Sequence, residues 1–584
     1  MNDAHFDVLV VGMGPAGLMC ALSLAKAGIR TKIIDRRAPG TQYGNADGIQ
    51  PRTAEIWDSY GILKRFAEGS VPVHAMVTYN PEVINGELKL IRSHPVRSIV
   101  VDSRFPHERT AGIEYIEGTL REALLEAGGS VGFSTTPTNV EVMPESQSDY
   151  PVKVTLEKLA APMDNRDDDG VLNQAAVTET IQAKYLVGAD GANSWVRRFF
   201  DIPLEGDLTK SVWGVADVIV DTNFSDCRMK CIITAPTGTI ITIPREGEKI
   251  RFYVQMSLDD CQLTPDGRVH KSYLSSEAAR HKVISRIQAG MSPFEVKFTE
   301  VFWWTIFAIP QRVAKQFSVQ DRVFIVGDAC HQHSPKAGQG ANAAMCDSHN
   351  LGWKLAHVIK GWASPNLLRT YEVERKGYAQ QLINFDKEIS ETLERDPESY
   401  ERVLHRQNMF TSGLGVRYNS MLINQPSPSH EGEQGITAGR YLPWCPITRL
   451  ADWDSMDMQS LIIFDGLWKL LIFPGDIRSP NNLAELARTE KELTRCVGVL
   501  KHASLYTILD NREDEVQWTD VPRALRAWKR VFVSGRKSSL NIYELLGDSK
   551  LGSLVLVRPD GYVSMVQELS QFNGDELTRF FLGL

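Results

Sequence analysis

Short apolar runs that end in a glycine or an acid recur along the N-terminal part of the chain. Phe6 to Val11 predicts a buried strand, followed by Gly12-Met-Gly-Pro-Ala-Gly17 and a helix to about Lys26. A second apolar run, Thr31 to Ile34, ends at Asp35. Strand, glycine-rich turn, helix and strand in this order predict a βαβ unit of a parallel sheet.

Two later apolar runs end in the same way. Lys184 to Val187 is followed by Gly188-Ala-Asp190-Gly191, and Val323 to Val326 is followed by Gly327-Asp328 and a loop rich in glycine. Apolar positions at helical spacing then predict a helix over about 341–360. Each turn taken alone also fits an ordinary βα connection. Three glycine–acid turns at strand ends favour a single extended cofactor, with helix N-termini near its phosphates and carboxylates near its sugar hydroxyls.

The first turn carries the spacing G-x-G-x-x-G inside a complete βαβ unit. Gly12 permits the tight turn, Gly14 lets a pyrophosphate approach the backbone, and Gly17 allows close contact between helix and strand. Asp35 is placed to bind an adenosine ribose, and Arg36 to contact the adenine or phosphate side. The pattern predicts a bound dinucleotide and leaves NAD and FAD both open.

The middle of the chain has a different pattern. Residues 205–310 alternate apolar and polar positions, which predicts an antiparallel sheet inserted between the second and third glycine–acid turns. Arg245 and Tyr253 are candidate functional residues in this sheet, and Asp47 is a third in a polar loop near the N-terminus. From the residues alone, an exposed sheet position is the favoured interpretation of the first two, and a turn or helix-entry role is the favoured interpretation of Asp47.

These patterns divide the chain into units. Residues 1–204 and 311–415 form a Rossmann-type dinucleotide domain, with part of 71–118 joining the substrate-binding sheet of 205–310. Residues 416–440, rich in Gly, Ser, Pro and Glu, predict a linker. Residues 441–584 predict a separate α/β domain without a C-x-x-C pair. The expected fold class is therefore α/β.

Composition narrows the function classes. The chain of 584 residues is 43% hydrophobic and 23% charged, with a net charge of −8 and a pI near 6.0. This acidic balance gives no reason to expect nucleic acid or an anionic membrane surface as partners. The longest apolar stretch, Leu461 to Phe473, is interrupted by charges and too short to span a bilayer. The N-terminal residues have no basic region, so we expect no signal peptide. The eight cysteines are sparse and lack the spacing of a zinc site, which predicts a cytoplasmic protein with reduced thiols and no metal.

One long motif carries a family resemblance. The segment Gly327-Asp-Ala-Cys-His-Gln-His-Ser-Pro-Lys-Ala-Gly-Gln-Gly340, with G-x-G-x-x-G and Ala189-Asp190-Gly191, resembles the flavoprotein aromatic hydroxylases. That segment and Asn350-Leu-Gly-Trp-Lys-Leu are similar to the phenol 2-monooxygenase branch. The C-terminal residues resemble that branch's thioredoxin-like domain without redox cysteines. The resemblance implies FAD as bound cofactor, NADPH or NADH as transient co-substrate, O2 and a small phenol as reactants, and a possible homodimer.

The resemblance also implies roles for individual residues. Asp47, Arg245 and Tyr253 are expected beside flavin and phenol. Asp47 would accept the phenolic proton, Tyr253 would hold the phenolic oxygen or the flavin edge, and Arg245 would favour developing negative charge. Glu117 stands where the family often has glutamine near the flavin. The implied FAD contacts are Gly12, Gly14, Pro15, Ala16, Gly17, Asp35, Arg36, Gln50, Glu117, Asp190, Gly327, Asp328, Pro335, Gly338, Gln339, Gly340, Ala341 and Asn342.

The reaction implied by the family is hydroxylation ortho to a phenolic hydroxyl. NAD(P)H reduces the flavin, O2 adds to give a C4a-hydroperoxide, and its distal oxygen is transferred to a ring activated as the phenolate. Two alternatives remain open from the residues. One keeps the flavin but epoxidises, decarboxylates or expands the ring of a larger aromatic product; the other is a flavin-binding protein without catalysis.

Overall fold

The structure is a computed structural model. It describes residues 4–40, 44, 46–159, 175–264, 268–334, 338–395, 402–403, 405–423, 435–534, 541–546 and 552–584. Pro335, an expected flavin contact, and residues 424–434 of the expected linker lie outside the described residues. The described part is a mixed α/β structure, which confirms the predicted class.

Eight described strands form a sheet that we call the nucleotide sheet. Its main path runs in the order Thr135–Val142, Val152–Leu159, Ala175–Gly188, Ala4–Val11, Thr31–Ile34 and Ser130–Gly132. Val323–Ile325 pairs with Ala175–Gly188, and Ser318–Val319 pairs with Val323–Ile325. The strands that precede the glycine turns run parallel to one another. Val11 lies opposite Gly188 and Ile34, and Gly188 lies opposite Ile325. Because these strand ends are in register, the residues after them emerge at one edge of the sheet.

A second sheet, which we call the substrate sheet, contains nine described strands. Its path runs in the order His331–Gln332, Val296–Ala314, Leu204–Thr222, Ile250–Met256, Gly238–Pro244, Lys230–Ala235, Ala75–Ile84 and Glu87–Arg92, with Val96–Arg97 beside Ala75–Ile84. Phe252 and Val254 pack with the helix Glu277–Met291, whereas Tyr253 joins a cluster with the helix Gly340–Ile359. Alternate side chains of a strand point to opposite faces, so this alternation turns Tyr253 toward the nucleotide domain.

Three short strands form a small sheet between the two large ones. Glu108–Thr110 pairs with both Gly48–Ile49 and Val71–Val73. The backbone N–H of Ala111 also donates to the carbonyl of Asp47 at 2.9 Å. This pairing fixes the polar loop that carries Asp47.

The C-terminal residues form a fourth sheet. The order is Ser455–Asp457, Pro446–Arg449, Val531–Val533, Ala503–Leu509, Trp468–Phe473, Ser553–Val557 and Val563–Glu568. Trp468–Phe473 is parallel to Ala503–Leu509 and antiparallel to Ser553–Val557. The apolar central strands explain why this unit has its own buried core.

The helices cover the sheets or connect them. The described helices are Pro15–Lys26, Pro51–Ser59, Leu63–Gly69, Ile113–Glu126, Trp195–Phe199, Lys271–Leu274, Glu277–Met291, Gly340–Ile359, Asn366–Arg395, Asn408–Thr411, Pro480–Arg495, Val497–Leu500, Ile542–Leu545 and Gly574–Gly583. Pro15–Lys26 packs against Gly340–Ile359, and most of its side chains are buried. Among the described helices, none is long and apolar enough to cross a membrane.

Candidate active site

The glycines of the first turn leave an open space in front of Gly14. A Cβ on Gly12, whose φ is +101°, would lie 2.4 Å from the carbonyl oxygen of Ala189, and a Cβ on Gly17 would lie 1.9 Å from that of Gly12. A Cβ on Gly14 would meet nothing within 4 Å. Pro15 and Ala16 begin the helix directly behind this space. The turn thus has the tight and the open positions that a bound pyrophosphate requires.

Asp35 lies at the end of the second strand and is held from both sides. Its carboxylate accepts hydrogen bonds from the backbone N–H of Met13 at 2.6 Å and of Arg37 at 2.8 Å. The Arg37 guanidinium also bridges Asp35 and Glu117, at 3.1 and 3.3 Å. Arg36, the residue predicted for this position, is exposed. The sequence analysis did not predict a role for Arg37. Only its position two residues after Asp35 could have indicated one.

Glu117 has an unusual environment for a carboxyl group. Burial raises the pKa of Glu117 to about 7, and the nearby Arg37 only partly offsets this effect. The carboxyl group therefore changes its protonation near neutral pH, close to Asp35 and Arg37.

The two aspartates of the later turns have different tasks. Asp190 accepts hydrogen bonds from the Ser194 hydroxyl at 2.5 Å and from the Trp195 N–H at 2.6 Å, so it caps the helix Trp195–Phe199. Asp328 is exposed, and no hydrogen bond joins its carboxylate to another residue that the structure describes. Asp190 thus stabilises the turn, whereas Asp328 is available for the hydroxyls of a sugar-like chain.

Gly327 brings that turn close to the first one. Its φ is +64°, and a Cβ would lie 3.0 Å from the Cβ of Ala344 and 3.1 Å from the Cβ of Ala16. The N–H of Gly327 donates to Asp347 at 3.0 Å. Because Gly327 has no side chain, the helices Pro15–Lys26 and Gly340–Ile359 can both approach the end of the strand Val323–Ile325.

Asn342 joins two loops that are far apart in the sequence. Its amide nitrogen donates to the carbonyls of Gly48 and Gly338, both at 2.8 Å, and its amide oxygen accepts from the N–H of Gln50 at 2.9 Å. Gln339 is fixed by a 2.6 Å bond from its amide to the carbonyl of Thr411. Gly340 and Ala341 form the first turn of the helix, whose N–H groups have no helical partner. This loop can therefore hold the polar edge of a flavin near the Asp47 loop.

Asp47 and Tyr253 meet in a buried pair. The Tyr253 hydroxyl donates to Oδ2 of Asp47 at 3.0 Å, and the two residues are only 7% and 5% exposed. Nη1 of Arg251 lies 3.6 Å from the same carboxylate oxygen and 3.5 Å from the Tyr253 hydroxyl. The structure thus brings together two of the three predicted catalytic residues and adds Arg251. Its position two residues before Tyr253 on one strand could have indicated it, since such residues share a face.

The third predicted catalytic residue, Arg245, contacts Asp217 rather than the Asp47–Tyr253 pair. Its guanidinium contacts both oxygens of Asp217 at 3.2 Å and Glu246 at 3.0 and 3.2 Å. Asp217 also accepts two hydrogen bonds from Arg251, at 2.6 and 2.7 Å. Arg245 therefore positions Asp217 and Glu246, and Arg251 is the guanidinium that contacts Asp47.

The buried charges shift the pKa values in different directions. Burial raises the pKa of Asp47 above its ordinary value, although Arg251 and then Arg245 oppose this effect. Burial would also raise the pKa of Asp217, but Arg251 and Arg245 outweigh it and hold that pKa below its usual range. Burial, with the charge of Asp47, raises the pKa of Tyr253, which remains a hydroxyl donor. Asp47 is therefore the acid of this group that is most easily protonated.

A cavity opens beside the Asp47–Tyr253 pair. Its walls are mainly apolar and carry a few polar groups, as small-molecule sites usually do. The lining residues are Asp47, Gly48, Glu108, Thr110, Trp213, Lys230, Ile232, Ile241, Ile243, Tyr253 and Gly338. A larger cavity of about 790 Å³ borders the C-terminal sheet near Tyr441 and Trp444, but neither Asp47 nor Tyr253 lines it. We therefore place the candidate site in the smaller cavity.

Two sequence families account for most of the chain. The family described as FAD binding domain matches residues 5–386, and the family described as phenol hydroxylase, C-terminal dimerisation domain, matches residues 416–584. The chain belongs to the FAD-dependent aromatic hydroxylases. It is 31% identical to a phenol 2-monooxygenase of Aspergillus fumigatus over 604 aligned positions, which cover 99% of this chain and 96% of the relative. It is 32% identical to a 3-hydroxybenzoate 4-monooxygenase of Comamonas testosteroni, over 97% of this chain and 93% of the relative.

A solved structure has the same fold over the whole chain. The aklavinone-11 hydroxylase, determined as a ternary complex with FAD and aklavinone, superposes with a TM-score of 0.71 at 22% identity and covers 100% of this chain and 99% of that one. The family predicted from the sequence is thus confirmed.

The residues of the flavoprotein cleft fit FAD. The open space at Gly14, the ribose-side carboxylate of Asp35, the exposed Asp328 and the helix start at Gly340 lie at the ends of neighbouring strands or beside them. FAD is the cofactor of this aromatic monooxygenase, and NAD(P)H is the usual co-substrate of its family. Among the described residues, no group of His, Cys, Asp and Glu side chains could hold a metal ion.

Proposed function

We propose that this monooxygenase hydroxylates a phenol ortho to its hydroxyl group in the cavity beside Asp47 and Tyr253. The observation that carries the proposal is the buried Asp47–Tyr253 pair at 3.0 Å. This pair lines the same cavity as Gly338, which lies just before the helix Gly340–Ile359 in the loop that we assign to the flavin. An acid and a hydroxyl donor at one end of an apolar cavity suit a phenol, which is apolar apart from one hydroxyl.

When bound, FAD would accept electrons from NAD(P)H and activate O2 for the transfer of one oxygen atom. The protein must make the ring of the substrate electron-rich, and a phenolate is a stronger nucleophile than a phenol. Asp47 is the proposed acceptor of the phenolic proton. Its raised pKa brings the carboxyl group closer to the pH at which the enzyme works, which makes the carboxylate a better base.

Tyr253 and Arg251 assist this proton transfer. The Tyr253 hydroxyl can turn its hydrogen bond from Asp47 to the phenolic oxygen. Arg251 lies within 3.6 Å of the carboxylate and can stabilise negative charge on either oxygen. The apolar residues Trp213, Ile232 and Ile241 exclude water from the ring. Arg245 acts on this group through Asp217, as a positioning residue.

The FAD contacts are proposed from the same geometry. Gly12, Gly14 and Gly17 would lie along the pyrophosphate, Asp35 and Glu117 at the adenosine ribose, and Asp328 at the ribityl hydroxyls. The N–H groups from Gly338 to Asn342 would hold the pyrimidine edge of the flavin. Gln50 supports this loop through its bond to Asn342.

The names of the two curated relatives differ in one respect. The 3-hydroxybenzoate 4-monooxygenase is named for a phenol that carries a carboxylate, and the phenol 2-monooxygenase is not. Both names support a phenolic substrate for this chain.

We also propose the domain limits stated from the sequence and a thioredoxin-like C-terminal domain. The strand order Ala503–Leu509, Trp468–Phe473, Ser553–Val557, Val563–Glu568, with one parallel and two antiparallel pairs, supports this assignment. The family description of these residues as a dimerisation domain supports a homodimer. A cytoplasmic location remains a prediction.

A substrate screen tests the function. Purified protein with FAD is mixed with NADPH or NADH and a series of phenols, while NAD(P)H oxidation, hydrogen peroxide and product mass under labelled O2 are followed. We expect some phenols to accelerate NAD(P)H oxidation and to gain one labelled oxygen atom. Oxidation that no phenol accelerates would contradict the proposal. Products of epoxidation, decarboxylation or ring expansion would retain the family and correct the reaction.

A further inference from the structure

A second pair of charged residues lines the cavity, apart from Asp47 and Tyr253. Lys230 begins the strand Lys230–Ala235 of the substrate sheet, and Glu108 begins the short strand Glu108–Thr110. Nζ of Lys230 lies 2.5 Å from Oε1 of Glu108. Both side chains are among the residues that surround the proposed substrate.

Glu108 is held firmly in this pair. The residue is 5% exposed, and its second carboxylate oxygen accepts a hydrogen bond from the amide of Gln50 at 3.0 Å. The backbone N–H of Gln50 is itself bonded to Asn342. Both oxygens of Glu108 therefore have partners, and the carboxylate is tied to the loop that we assign to the flavin.

The charges along the cavity are unequal. Its lining contains two carboxyl groups, those of Asp47 and Glu108, and one ammonium group, that of Lys230. Among the described lining residues, Lys230 is the only cation that a substrate carboxylate could contact, and Glu108 already occupies it at 2.5 Å. A second carboxylate at Lys230 would stand beside Glu108 in a poorly hydrated site, where like charges repel strongly.

We propose that Glu108, by neutralising Lys230, excludes carboxylated phenols and selects phenols whose other substituents are uncharged. The inference rests on the proposed function, because it assigns a substrate class to the same cavity. It makes Glu108 a specificity-determining residue: the site rejects one class of substrate by repulsion rather than by size. The polar pair remains able to hydrogen-bond a neutral hydroxyl or amide on the ring.

Two probes of equal shape and different charge test this inference. We compare 3-hydroxybenzamide, which is neutral, with 3-hydroxybenzoate, and measure their dissociation constants from the holoenzyme by calorimetry and by the change in flavin absorption. The wild-type enzyme is expected to bind the amide at least about tenfold more tightly, since one repelled charge costs more than about 1.4 kcal/mol. In Glu108→Gln, Lys230 is released, and the preference is expected to disappear or reverse.

Three variants serve as controls. Glu108→Asp keeps the charge and should keep the exclusion of the benzoate. Asp226→Asn removes an acid in the turn before Lys230 that pairs with Arg92 at 2.6 Å and does not line the cavity, so it should leave the ratio unchanged. FAD content and thermal unfolding establish that each variant is folded, and Lys230→Met should not improve binding of the benzoate.

The outcomes separate the two proposals. Equal binding of both probes by the wild type, or tighter binding of the benzoate, overturns the inference and leaves the proposed function in place. A Glu108→Gln variant that is folded and still rejects the benzoate tenfold also overturns it. If neither probe binds and no phenol accelerates NAD(P)H oxidation, both the inference and the proposed function are overturned.

Discussion

Two buried clusters of charged residues invite comparison. The site cluster consists of Asp47, Asp217, Arg245, Arg251 and Tyr253. The interdomain cluster, where the C-terminal hairpin meets the nucleotide domain, consists of Lys354, Glu374, Arg558 and Asp560. Both are built from cations and carboxylates, and the interdomain members are at most 2% exposed.

In the interdomain cluster every acid has a cation in direct contact. Arg558 contacts Glu374 at 2.6 Å and Asp560 at 2.6 Å, and Lys354 contacts Glu374 at 2.8 Å. Burial alone would raise the pKa of Glu374 and Asp560, but Arg558 outweighs it, so both pKa values lie below the ordinary range. This cluster stabilises the contact between two domains and leaves no acid available for chemistry.

The site cluster distributes its cations unevenly. Asp217 receives hydrogen bonds from both arginines, whereas Asp47 receives one hydrogen bond from Tyr253 and a longer contact from Arg251. The pKa of Asp47 is therefore raised, and that of Asp217 is lowered. The comparison teaches that a buried acid with incomplete compensation, facing a cavity, is a candidate for the reactive position.

The two clusters are also connected. Arg52, in the first turn of the helix that follows the Asp47 loop, donates to the carbonyl of Asp560 at 2.6 Å and lies 3.9 Å above the Tyr441 ring. The C-terminal domain therefore contacts the helix Pro51–Ser59, which follows the Asp47 loop.

The largest expected effect is that of Asp47→Asn. If Asp47 is the base, kcat/KM for a phenol should fall by about 10²–10⁴-fold. The carboxyl group has a raised pKa in the folded state, so it favours folding below its unfolded pKa and loses this contribution as the pH rises through the folded pKa. At neutral pH the variant should thus be at least as stable as the wild type. Steady-state kinetics and urea unfolding measure both quantities.

The pH dependence provides the control for Asp47→Asn. In the wild type, kcat/KM should fall on the acid side with an apparent pKa above the ordinary aspartate value of about 3.9, because burial raises the pKa of Asp47. The variant should lack this acid limb. A variant that keeps the limb, or more than about a tenth of the activity, would show that another group is the base.

Arg558→Met should have the opposite profile. It leaves Asp560 buried without its arginine and Glu374 with only Lys354 of its two cations, which costs about 3–5 kcal/mol of unfolding free energy at pH 7. The lowered pKa of Glu374 stabilises the fold above its unfolded pKa and ceases to do so as the pH falls through the folded pKa. The difference from wild type should therefore shrink in acid.

A matched variant controls for charge alone. Arg449→Met removes two ion pairs in the same domain, to Asp452 at 2.7 Å and to Asp454 at 3.0 Å, and both acids are exposed. It should cost at most about 1 kcal/mol. Equal losses in the two variants, measured by urea unfolding, would contradict the structural role of the interdomain cluster.

Arg251→Lys and Arg245→Lys distinguish the two guanidiniums of the site. Only Arg251 contacts both Asp47 and Tyr253, so its replacement should lower kcat/KM by about 10–100-fold and move the acid limb to higher pH. Arg245→Lys should have a smaller effect on both, since it contacts Asp217 and Glu246. The reverse order would restore the assignment made from the sequence.

Tyr253→Phe should have the smallest effect. It removes one hydrogen bond worth about 1 kcal/mol, which corresponds to a loss of roughly fivefold in phenol affinity or kcat/KM. Because that bond lowers the pKa of Asp47, its loss should also shift the acid limb to higher pH. Titration of the flavin spectrum with a phenol, with Tyr79→Phe as a control outside the cavity, measures the change.

The sequence by itself determined the fold class, the cofactor turns and the family. Gly12, Gly17, Asp35 and Gly327 are recognisable because each stands at a fixed spacing from an apolar run, and the physics of a βα turn acts over a few residues. Asp47 and Tyr253 came from the family resemblance, and the structure places their side chains in contact.

Only the tertiary structure decided which of several chemically similar residues makes each contact in the candidate site. Arg251 rather than Arg245 contacts Asp47, and Arg37 rather than Arg36 contacts Glu117. Glu108 meets Lys230 across 122 positions of sequence. Charged side chains carry no local signal of their partner, because the desolvation and pairing that set their energies arise only when distant strands bring them together in a low-dielectric interior.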